Sequence, residues 1–551
     1  MTTHAQSWTV AQTALRILVD AGVRRAYTVP GGCFLELLDA CQFEPKMTLV
    51  TTRHESGSAF MAEAEGKLRD VPALLLGTRG PNAMNLLAGV HTAFEDETPM
   101  VVILADRPAL NLTGGVPDER DLIELFRPYT KWAAKADKAV DIPDLVAEAL
   151  EESQTGRRGP VVLSVPPDFW VAPYDGPVPV PDLTPDRSGA LLRSADEVAA
   201  LLADSRYPVA IAGSRARQAR DELIAAADKL GLAVYNAFRR QDAFPENHAR
   251  YAGHLGIGIP QRQLDALDRA DLVLAIGARL DDVTTQNYRY PLPSQTLVAV
   301  GTGLSRTPRR GLTFRVEAEI GPFLRELCAV AEPRARRSSA ANAVTHTFMT
   351  PPDTRGSPFV HPADVVRAVR KVVPENAVVT SDSCPFAGFV QRYWCFTEPH
   401  TQLGPADRAL GYAVPAAVAA KLASPKRAVV AMVGDSSMLM TGQEIETAVR
   451  YRTPVIVVVA QNGLYGEIAM HQARTHGRLS GVSFSPVDFA SWARSFGAAG
   501  YTVQSPEQLE PTISRALHHQ RPSVIDVRTD PDVINPDVRL STLFPVDSRT
   551  N

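Results

Sequence analysis

Two polar residues in the C-terminal part of the chain each follow a buried strand-like run, and their side chains suit a divalent cation. Asp435 comes directly after one apolar run and Asn462 directly after the next, 27 residues later. A strand-helix-strand unit of this length places both residues at the same edge of a parallel sheet. A carboxylate, an amide oxygen and a backbone carbonyl suit Mg²⁺ that keeps water and phosphate oxygens as its other ligands. The spacing therefore predicts a magnesium site that holds a diphosphate.

The residues around Asp435 fit the same interpretation. Gly434, Ser436 and Ser437 let the backbone approach phosphates closely and offer N–H and hydroxyl donors. The alternative is that Asp435 caps a helix and Asn462 begins an ordinary turn, and each residue alone favours that alternative. The spacing and the two flanking strands favour the site.

A second candidate is Glu55, which precedes the small-residue helix predicted over Ser56–Lys67. A zinc protease is excluded, because Ser58 stands where the second histidine would be needed. A partly buried carboxylate here could protonate a ring nitrogen of a cofactor. It could equally complement the N-terminus of the helix, and the residue alone does not decide between the two.

Other nucleotide and hydrolase motifs are absent from the sequence. There is no G-x-x-x-x-G-K-[ST] phosphate loop and no G-x-S-x-G elbow, and Gly253–Gly258 has its glycines in the wrong order for a dinucleotide fingerprint. Phosphoanhydride transfer and serine hydrolysis are therefore disfavoured.

The elements that must position these residues alternate between short β-branched runs and amphipathic stretches, which is typical of parallel sheets covered by helices. Proline-rich stretches at Val171–Gly189 and Ala331–Pro358 divide the chain. We predict three doubly wound α/β domains: an N-terminal domain of residues 1–172, a central domain of residues 190–332, and a C-terminal domain of residues 359–535 that carries the predicted diphosphate and magnesium site. A faint internal repeat relates Ala73–Ala105 to Ala428–Ala460, so a ligand could lie between the first and third domains.

Bulk composition narrows the class of protein. The 551 residues exceed one hydrophobic core, and 45% hydrophobic residues, 21% charged residues and a net charge of −4 give no sign of a nucleic-acid partner. No apolar run approaches the roughly 18 residues of a membrane helix, and no signal peptide is recognisable, so we expect a cytoplasmic protein. The five cysteines include no C-x-x-C pair, and reduced structural thiols are expected.

The motifs, taken in order, resemble those of thiamine-diphosphate enzymes of the acetohydroxyacid (acetolactate) synthase group over nearly the whole chain. They are Val29–Gly32, Arg53–Glu55, Gly77–Pro81 with Asn85, Arg127–Lys131, Gly159–Val162, Gly277–Asp282, Gly411–Ala417, Gly434–Ser436 and Asn462.

The resemblance implies a role for each matching residue. Glu55 would activate the aminopyrimidine, and Asp435, Asn462 and the carbonyl of Leu464 would ligate Mg²⁺. Leu410 would be the apolar wedge that bends the cofactor, although plain core packing would also explain a leucine there. The remaining cofactor-binding residues would be Pro30, Gly31, Thr78 and Asn85, in the pyrimidine half.

Several positions depart from the family pattern where substrates are chosen. Arg79 replaces a serine, Asp118 a glutamine and Leu410 a methionine, and Ser383–Phe386 replaces a phosphate-contacting Gly-Gln-His segment. Arg79 and Asp118 are our candidate substrate residues, and Arg79 could bind an acidic substrate or pair with a neighbouring carboxylate. Gly277–Asp282 resembles a flavin-contacting loop, but some relatives have lost the flavin, so FAD stays open.

The resemblance implies decarboxylation of a 2-oxo acid, with pyruvate as the expected donor, and carboligation to a second carbonyl acceptor. It also implies a homodimer or homotetramer with Glu55 and Mg²⁺ contributed by different subunits. The alternatives are a simple decarboxylase that releases an aldehyde and a non-catalytic regulatory protein. Against the simple decarboxylase, the adjacent histidines that we find, His518 and His519, lie near the C-terminus on an expected solvated helix face and not near the first-domain pocket.

Tyr465–Gly481 is rich in glycine and polar residues and is expected to be a mobile segment that closes over the site.

Overall fold

The computed structural model describes residues 8–109, 121–183, 194–259, 261–303, 312–334 and 359–544, together with 350, 352 and 354. Three six-stranded sheets, each entirely parallel, lie in these ranges and are flanked by helices. The predicted fold of three doubly wound α/β domains is therefore confirmed. Among the described helices, none is long and apolar enough to cross a membrane.

The first domain carries the sheet that contains the Glu55 segment. Its strands are β1 (Trp8–Thr9), β2 (Arg25–Thr28), β3 (Thr48–Thr51), β4 (Ala73–Gly77), β5 (Met100–Ala105), β6 (Trp132–Lys135), β7 (Pro160–Val165) and β8 (Pro173–Tyr174), and its helices are α1 (Val10–Asp20), α2 (Leu35–Phe43), α3 (Glu55–Arg69), α4 (Pro81–Asp96), α5 (Leu122–Phe126) and α6 (Ile142–Gln154). The sheet order is β3-β2-β4-β5-β7-β6, and β1 pairs with β8 separately.

The central domain has a different strand order. Its strands are β9 (Pro208–Ala212), β10 (Ala233–Asn236), β11 (Tyr251–His254), β12 (Leu272–Ile276), β13 (Thr296–Gly301) and β14 (Thr313–Glu317), and its helices are α7 (Ala195–Asp204), α8 (Arg220–Leu230), α9 (Gln261–Arg269) and α10 (Ile320–Val330). The order β11-β10-β9-β12-β13-β14 is the one found in dinucleotide-binding folds.

The third domain repeats the order of the first. Its strands are β15 (Val378–Ser381), β16 (Gln402–Leu403), β17 (Val429–Gly434), β18 (Ile456–Gln461), β19 (Ala499–Val503), β20 (Ser523–Arg528), β21 (Val533–Asn535) and β22 (Val538–Arg539), and its helices are α11 (Pro362–Val372), α12 (Pro385–Tyr393), α13 (Ala413–Ala423), α14 (Asp435–Thr441), α15 (Glu444–Arg450), α16 (Gly466–His476), α17 (Phe489–Ser495) and α18 (Leu509–His518). The main sheet runs β16-β15-β17-β18-β20-β19, so the faint repeat in the sequence corresponds to two sheets of one topology.

The first and third domains share one hydrophobic core. Helix α3 packs against α13, and the rings of Phe60 and Tyr412 meet edge to face with their centroids 5.7 Å apart. The buried Lys67 ammonium lies 2.8 Å from carboxylate oxygens of both Glu63 and Asp96. Because a lone buried charge is costly, this arrangement fixes α3, whose first residue is Glu55.

Helix α16 occupies most of the segment 465–481, with Tyr465, Gly466 and Ile468 on the wall of the cavity described below. The expected closure of this segment over the site stays a prediction. The glycines that suggested a mobile segment lie at the start of α16 and just after it, where Gly477 takes the left-handed conformation that ends the helix. The predicted domain boundaries stay predictions.

Candidate active site

Asp435 and Asn462 lie together at the carboxyl edge of the third sheet. Strands β17 and β18 are parallel neighbours with Gly434 opposite Ala460, so the residues after them emerge side by side. The Asp435 Oδ2 atom accepts the backbone N–H groups of Asn462 at 2.9 Å and Gly463 at 2.7 Å. The proximity expected from the 27-residue spacing is therefore present.

The surroundings of Asp435 leave it able to bind a cation. The residue is 2% exposed, and burial raises the pKa of its carboxyl group, while N–H donors from Gly463, Ser436 and Asn462 lower it. These three donors leave a carboxylate, with about four acceptor positions, room for one further partner. The Asn462 Oδ1 atom accepts the N–H of Leu464 at 3.1 Å, which brings the third predicted ligand to the same turn. An acid, an amide and a carbonyl fit a hard cation such as Mg²⁺.

One cavity of about 300 Å³ opens over this edge. Its lining includes six of the residues singled out from the sequence: Leu410, Gly434, Asp435, Ser436, Asn462 and Leu464. Ser437 is 1% exposed and is not among the lining residues. Cys384 reaches the same wall, because a Cβ atom on Gly434 would lie 3.3 Å from its sulfur. The cavity is of a size that holds a small molecule.

Glu55 occupies the corresponding edge of the first sheet, as the first residue of α3. His54 begins the helix by accepting the N–H of Ser56 on its ring nitrogen. The carboxylate of Glu55 is held by two amides, with Asn82 Nδ2 at 2.7 Å and Asn85 Nδ2 at 3.0 Å. Its side chain is 15% exposed, so it is fixed and still accessible.

Asn82 is a residue that sequence reasoning missed. Besides holding Glu55, its Oδ1 atom accepts the N–H of Thr78 at 2.7 Å, which ties the turn after β4 to the start of α3. The sequence signal that could have identified Asn82 was its spacing from Asn85, because residues three apart on a helix share one face.

The pyrimidine-half residues surround the same edge. A Cβ atom on Gly31 would lie only 2.2 Å from Thr78 Cγ2, so the loop after β2 approaches Thr78 as closely as glycine permits. Pro30 and Asn85 are exposed beside it. The structure thus gathers Pro30, Gly31, Thr78 and Asn85 around Glu55, and their binding roles stay predictions.

The two candidate substrate residues fare differently. Arg79 is half-buried and forms no ion pair within the described ranges, and its Nη1 atom is buried without a hydrogen-bond partner there. The neighbouring carboxylate considered from the sequence is therefore not seen among the described residues. Asp118 lies outside them.

The Glu55 edge and the Asp435 edge contact each other within one chain, but only the Asp435 edge lines the cavity. Glu444 of α15, which is fully buried, accepts the backbone N–H groups of Arg53 at 3.0 Å and His54 at 3.1 Å. Burial raises the pKa of Glu444 to about 7. Among the described residues, none from the first domain lines the cavity, so Glu55 does not face Asp435 within one chain. Nothing in the sequence marked Glu444.

The loop that resembles a flavin-binding segment is engaged by protein groups. The guanidinium of Arg279 pairs with Glu95, and Asp282 pairs with Arg408 at 3.2 Å. At the neighbouring strand end, a Cβ atom on Gly213 would come within 2.2 Å of the Cα atom of Ala278. Protein groups thus hold the loop beside the point where the strand order reverses, and FAD binding there stays a prediction.

Comparisons with known proteins agree with this geometry. The N-terminal TPP binding domain of thiamine pyrophosphate enzymes matches residues 8–125, the central domain of these enzymes matches 195–327, and their C-terminal TPP binding domain matches 385–527. A catabolic acetolactate synthase of Raoultella terrigena is 27% identical over 545 residues, covering 96% of each chain. A sulfoacetaldehyde acetyltransferase of Castellaniella defragrans is 26% identical over 98% of this chain and 96% of its own.

A solved structure shares the fold. The thiamine diphosphate-dependent 4-hydroxybenzoylformate decarboxylase of Rhodococcus jostii RHA1 superposes with a TM-score of 0.84 at 23% identity, covering 95% of this chain and 100% of the other. With all three domains matched in order, the chain belongs to the thiamine pyrophosphate enzyme family and is an acetolactate synthase-like, thiamine-diphosphate-dependent enzyme.

Proposed function

We propose that the protein uses thiamine diphosphate and Mg²⁺ to decarboxylate a 2-oxo acid, with pyruvate as the donor, and joins the remaining two-carbon unit to a second carbonyl compound. The observation that carries the proposal is the donor set of Asp435, Asn462 and Leu464 in one cavity with Leu410. Carboligation is supported by the relatives, which include acetolactate synthases from several bacteria.

The cofactor, when bound, supplies an electron sink for the carbon that loses CO₂. The chain's own residues would bind and orient it. The Asp435 carboxylate, the Asn462 amide and the Leu464 carbonyl would hold the cation that grips the diphosphate. Leu410 would give the cofactor an apolar contact, and Glu55, fixed by Asn82 and Asn85, would hold a proton at the nitrogen of the pyrimidine ring.

We further propose that the active site forms between two copies of the chain, in a homodimer or a pair of homodimers. In one chain the Glu55 edge and the cavity are separate, and among the described residues the cavity wall comes from the central and third domains. A second copy could place its Glu55 over the cavity. The monomer is then expected to be inactive, which sedimentation and activity measured at falling protein concentration would test.

The deciding experiment is incubation of the purified protein with thiamine diphosphate, Mg²⁺ and pyruvate, with and without aldehyde or 2-oxo acid acceptors. CO₂ release with a ligated product, identified by mass, is expected. Release of the free aldehyde alone would replace carboligation with simple decarboxylation. An absence of CO₂ release despite tight cofactor binding would favour a non-catalytic role.

A further inference from the structure

Arg239 of the central domain places a buried guanidinium group on the wall of the cavity. The residue follows β10 and is only 4% exposed. Burial lowers the pKa of Arg239 to about 10, so the side chain keeps its positive charge at neutral pH. Because a buried charge is costly unless it is paired, a charged partner is expected for it.

The groups that bind Arg239 directly within the described part of the chain are neutral. Its Nη1 atom donates to Ser381 Oγ at 2.9 Å, its Nη2 atom donates to the carbonyl oxygen of Asp382 at 2.8 Å, and its Nε atom is buried without a hydrogen-bond partner. The carboxylate of Asp382 interacts with this charge over a longer distance but forms no ion pair with it, and it accepts the N–H of Ala413 at 2.8 Å instead. Among the described residues, Arg239 is thus buried without a counter-ion in direct contact.

The guanidinium group lies beside the turn that is expected to hold the diphosphate. Strand β15 is the parallel neighbour of β17, so the residues after both strands emerge at the same edge of the sheet. Arg239 binds the last residue of β15, Ser381, and three residues later Cys384 lies so close to Gly434 that a Cβ atom there would be 3.3 Å from its sulfur. Arg239, Gly434 and Asp435 line the same cavity. The positive charge is therefore close to the turn that begins at Gly434.

The charges expected at this turn would not balance without a further cation. A diphosphate ester carries about three negative charges at neutral pH, whereas Mg²⁺ supplies two positive charges and its carboxylate ligand adds one negative charge. Two other guanidinium groups belong to the described cavity wall, but Arg392 is paired with Asp537 at 2.8 Å and Arg408 with Asp282 at 3.2 Å. Among the described lining residues, Arg239 is therefore the guanidinium group without a directly bound counter-ion.

We propose that Arg239 supplies a positive charge that offsets the diphosphate of the cofactor, which gives the central domain a part in cofactor binding. This inference rests on the proposed function, because it assumes that thiamine diphosphate and Mg²⁺ occupy the cavity. Arg239 is a binding residue and has no role in proton transfer. Its backbone has a φ of 58°, in the left-handed region that is unfavourable for arginine, and residues held in this way are concentrated at ligand sites.

Titration calorimetry of the full-length protein with Mg²⁺ tests the proposal, with thiamine diphosphate and thiamine monophosphate as ligands and the weaker one measured by displacement. The affinity of Arg239→Gln for thiamine diphosphate is expected to fall about tenfold to a hundredfold, because charge-assisted contacts to phosphate are strong. The affinity for the monophosphate, which has one phosphoryl group fewer, should fall less. Wild-type affinity for both ligands would overturn the proposal, and so would an equal loss for both, since a merely structural role would weaken both alike.

Two further variants complete the design. Arg289→Gln, at an exposed arginine of the central domain, is the matched control and should bind both ligands as the wild type does. Arg239→Lys keeps the charge but loses the planar fork, so its ratio of diphosphate to monophosphate affinity should fall only about threefold. If Arg239→Gln does not fold, as judged by circular dichroism, Arg239→Lys decides, and an unchanged ratio in this variant would contradict the proposal.

Failure of the proposed function can be told apart from failure of this inference. If the wild-type protein does not bind thiamine diphosphate with Mg²⁺, both are wrong. If it binds the cofactor and releases CO₂ from pyruvate, but Arg239→Gln binds equally well, only the inference is wrong. If the affinity depends on Arg239 as expected and no 2-oxo acid releases CO₂, the inference holds and the proposed reaction is wrong.

Discussion

The first and third domains arrange six strands in the same order yet carry different chemistry at their carboxyl edges. In the first, Glu55 is accessible and held by two side-chain amides. In the third, Asp435 is buried and held by three backbone N–H groups. A carboxylate held by side chains and open to a ligand can exchange a proton, whereas one buried against the backbone is a rigid anchor. One topology thus supports two roles, set by the groups around the carboxylate.

The sharpest test of this difference is Glu55→Gln. We expect CO₂ release to fall by about 10²- to 10⁴-fold, the usual contribution of a positioned acid or base. Calorimetric affinity for thiamine diphosphate with Mg²⁺ should change little, because the amide can keep a hydrogen bond. Glu36→Gln, at an exposed position in α2, is the control. Unchanged turnover would remove Glu55 from the mechanism.

Asp435→Ala should instead weaken the binding of thiamine diphosphate and Mg²⁺. Its affinity for the cofactor and Mg²⁺ is expected to drop by at least the ~10- to 100-fold that removal of a mere outer-shell partner costs. Titration calorimetry measures the drop, and Asp488→Ala, at the cap of α17 on the surface, should bind normally. Wild-type affinity in Asp435→Ala would rule out the cation site.

A smaller effect is expected from Asn82→Ala, which removes one of the two amides at Glu55 and the bond to Thr78. Hydrogen bonds to charged groups contribute about 1.5–3 kcal/mol, so CO₂ release should fall about tenfold to a hundredfold. Asn85→Ala, which removes the longer of the two amide bonds and leaves the Asn82–Thr78 bond in place, should have the smaller effect. The reverse order would show that Asn82 does not position Glu55.

The smallest predicted change concerns Glu444, which joins the third domain to the first. This change is in thermal stability and depends on pH. The pKa of Glu444 is about 7 in the folded protein, above the roughly 4.3 of an unfolded glutamate. The folded state therefore holds a proton that the unfolded chain has released, and the stabilisation that this supplies at low pH is lost as the pH rises through about 7. Glu444→Gln can still accept the N–H groups of Arg53 and His54 without a charge.

Thermal melting at about pH 6 and about pH 8.5 measures this dependence. Relative to the wild type, the Tm of Glu444→Gln is expected to be higher at the more alkaline pH than at the acidic pH. Glu446→Gln, at a partly buried position of the same helix where the pKa of the carboxyl group is lowered by Arg53 and Arg450, should not show this gain. A Tm difference that is constant with pH would mean that Glu444 does not titrate in this range.

The fold and the Asp435–Asn462 part of the candidate site could be predicted from the sequence, because both depend on local sequence patterns. Strands such as Met100–Ala105 were predicted from uninterrupted β-branched and apolar runs, and the Asp435–Asn462 pair followed from the length of one strand-helix-strand unit. Glu444 could not be found in this way. Its importance comes from contacts with residues far away in the chain, and such contacts leave no periodic signal.

The packing of the chain also determines how reactive its cysteine thiols are. All five cysteines are free, and burial raises the pKa of Cys384, beside Gly434, to about 11 and the pKa values of Cys41 and Cys395 to about 12. At neutral pH these sulfurs are almost wholly protonated and react slowly with oxidants and alkylating reagents. We therefore expect the enzyme to tolerate handling in air, and a maleimide dye to report preferentially on the half-buried Cys33, three residues beyond Pro30.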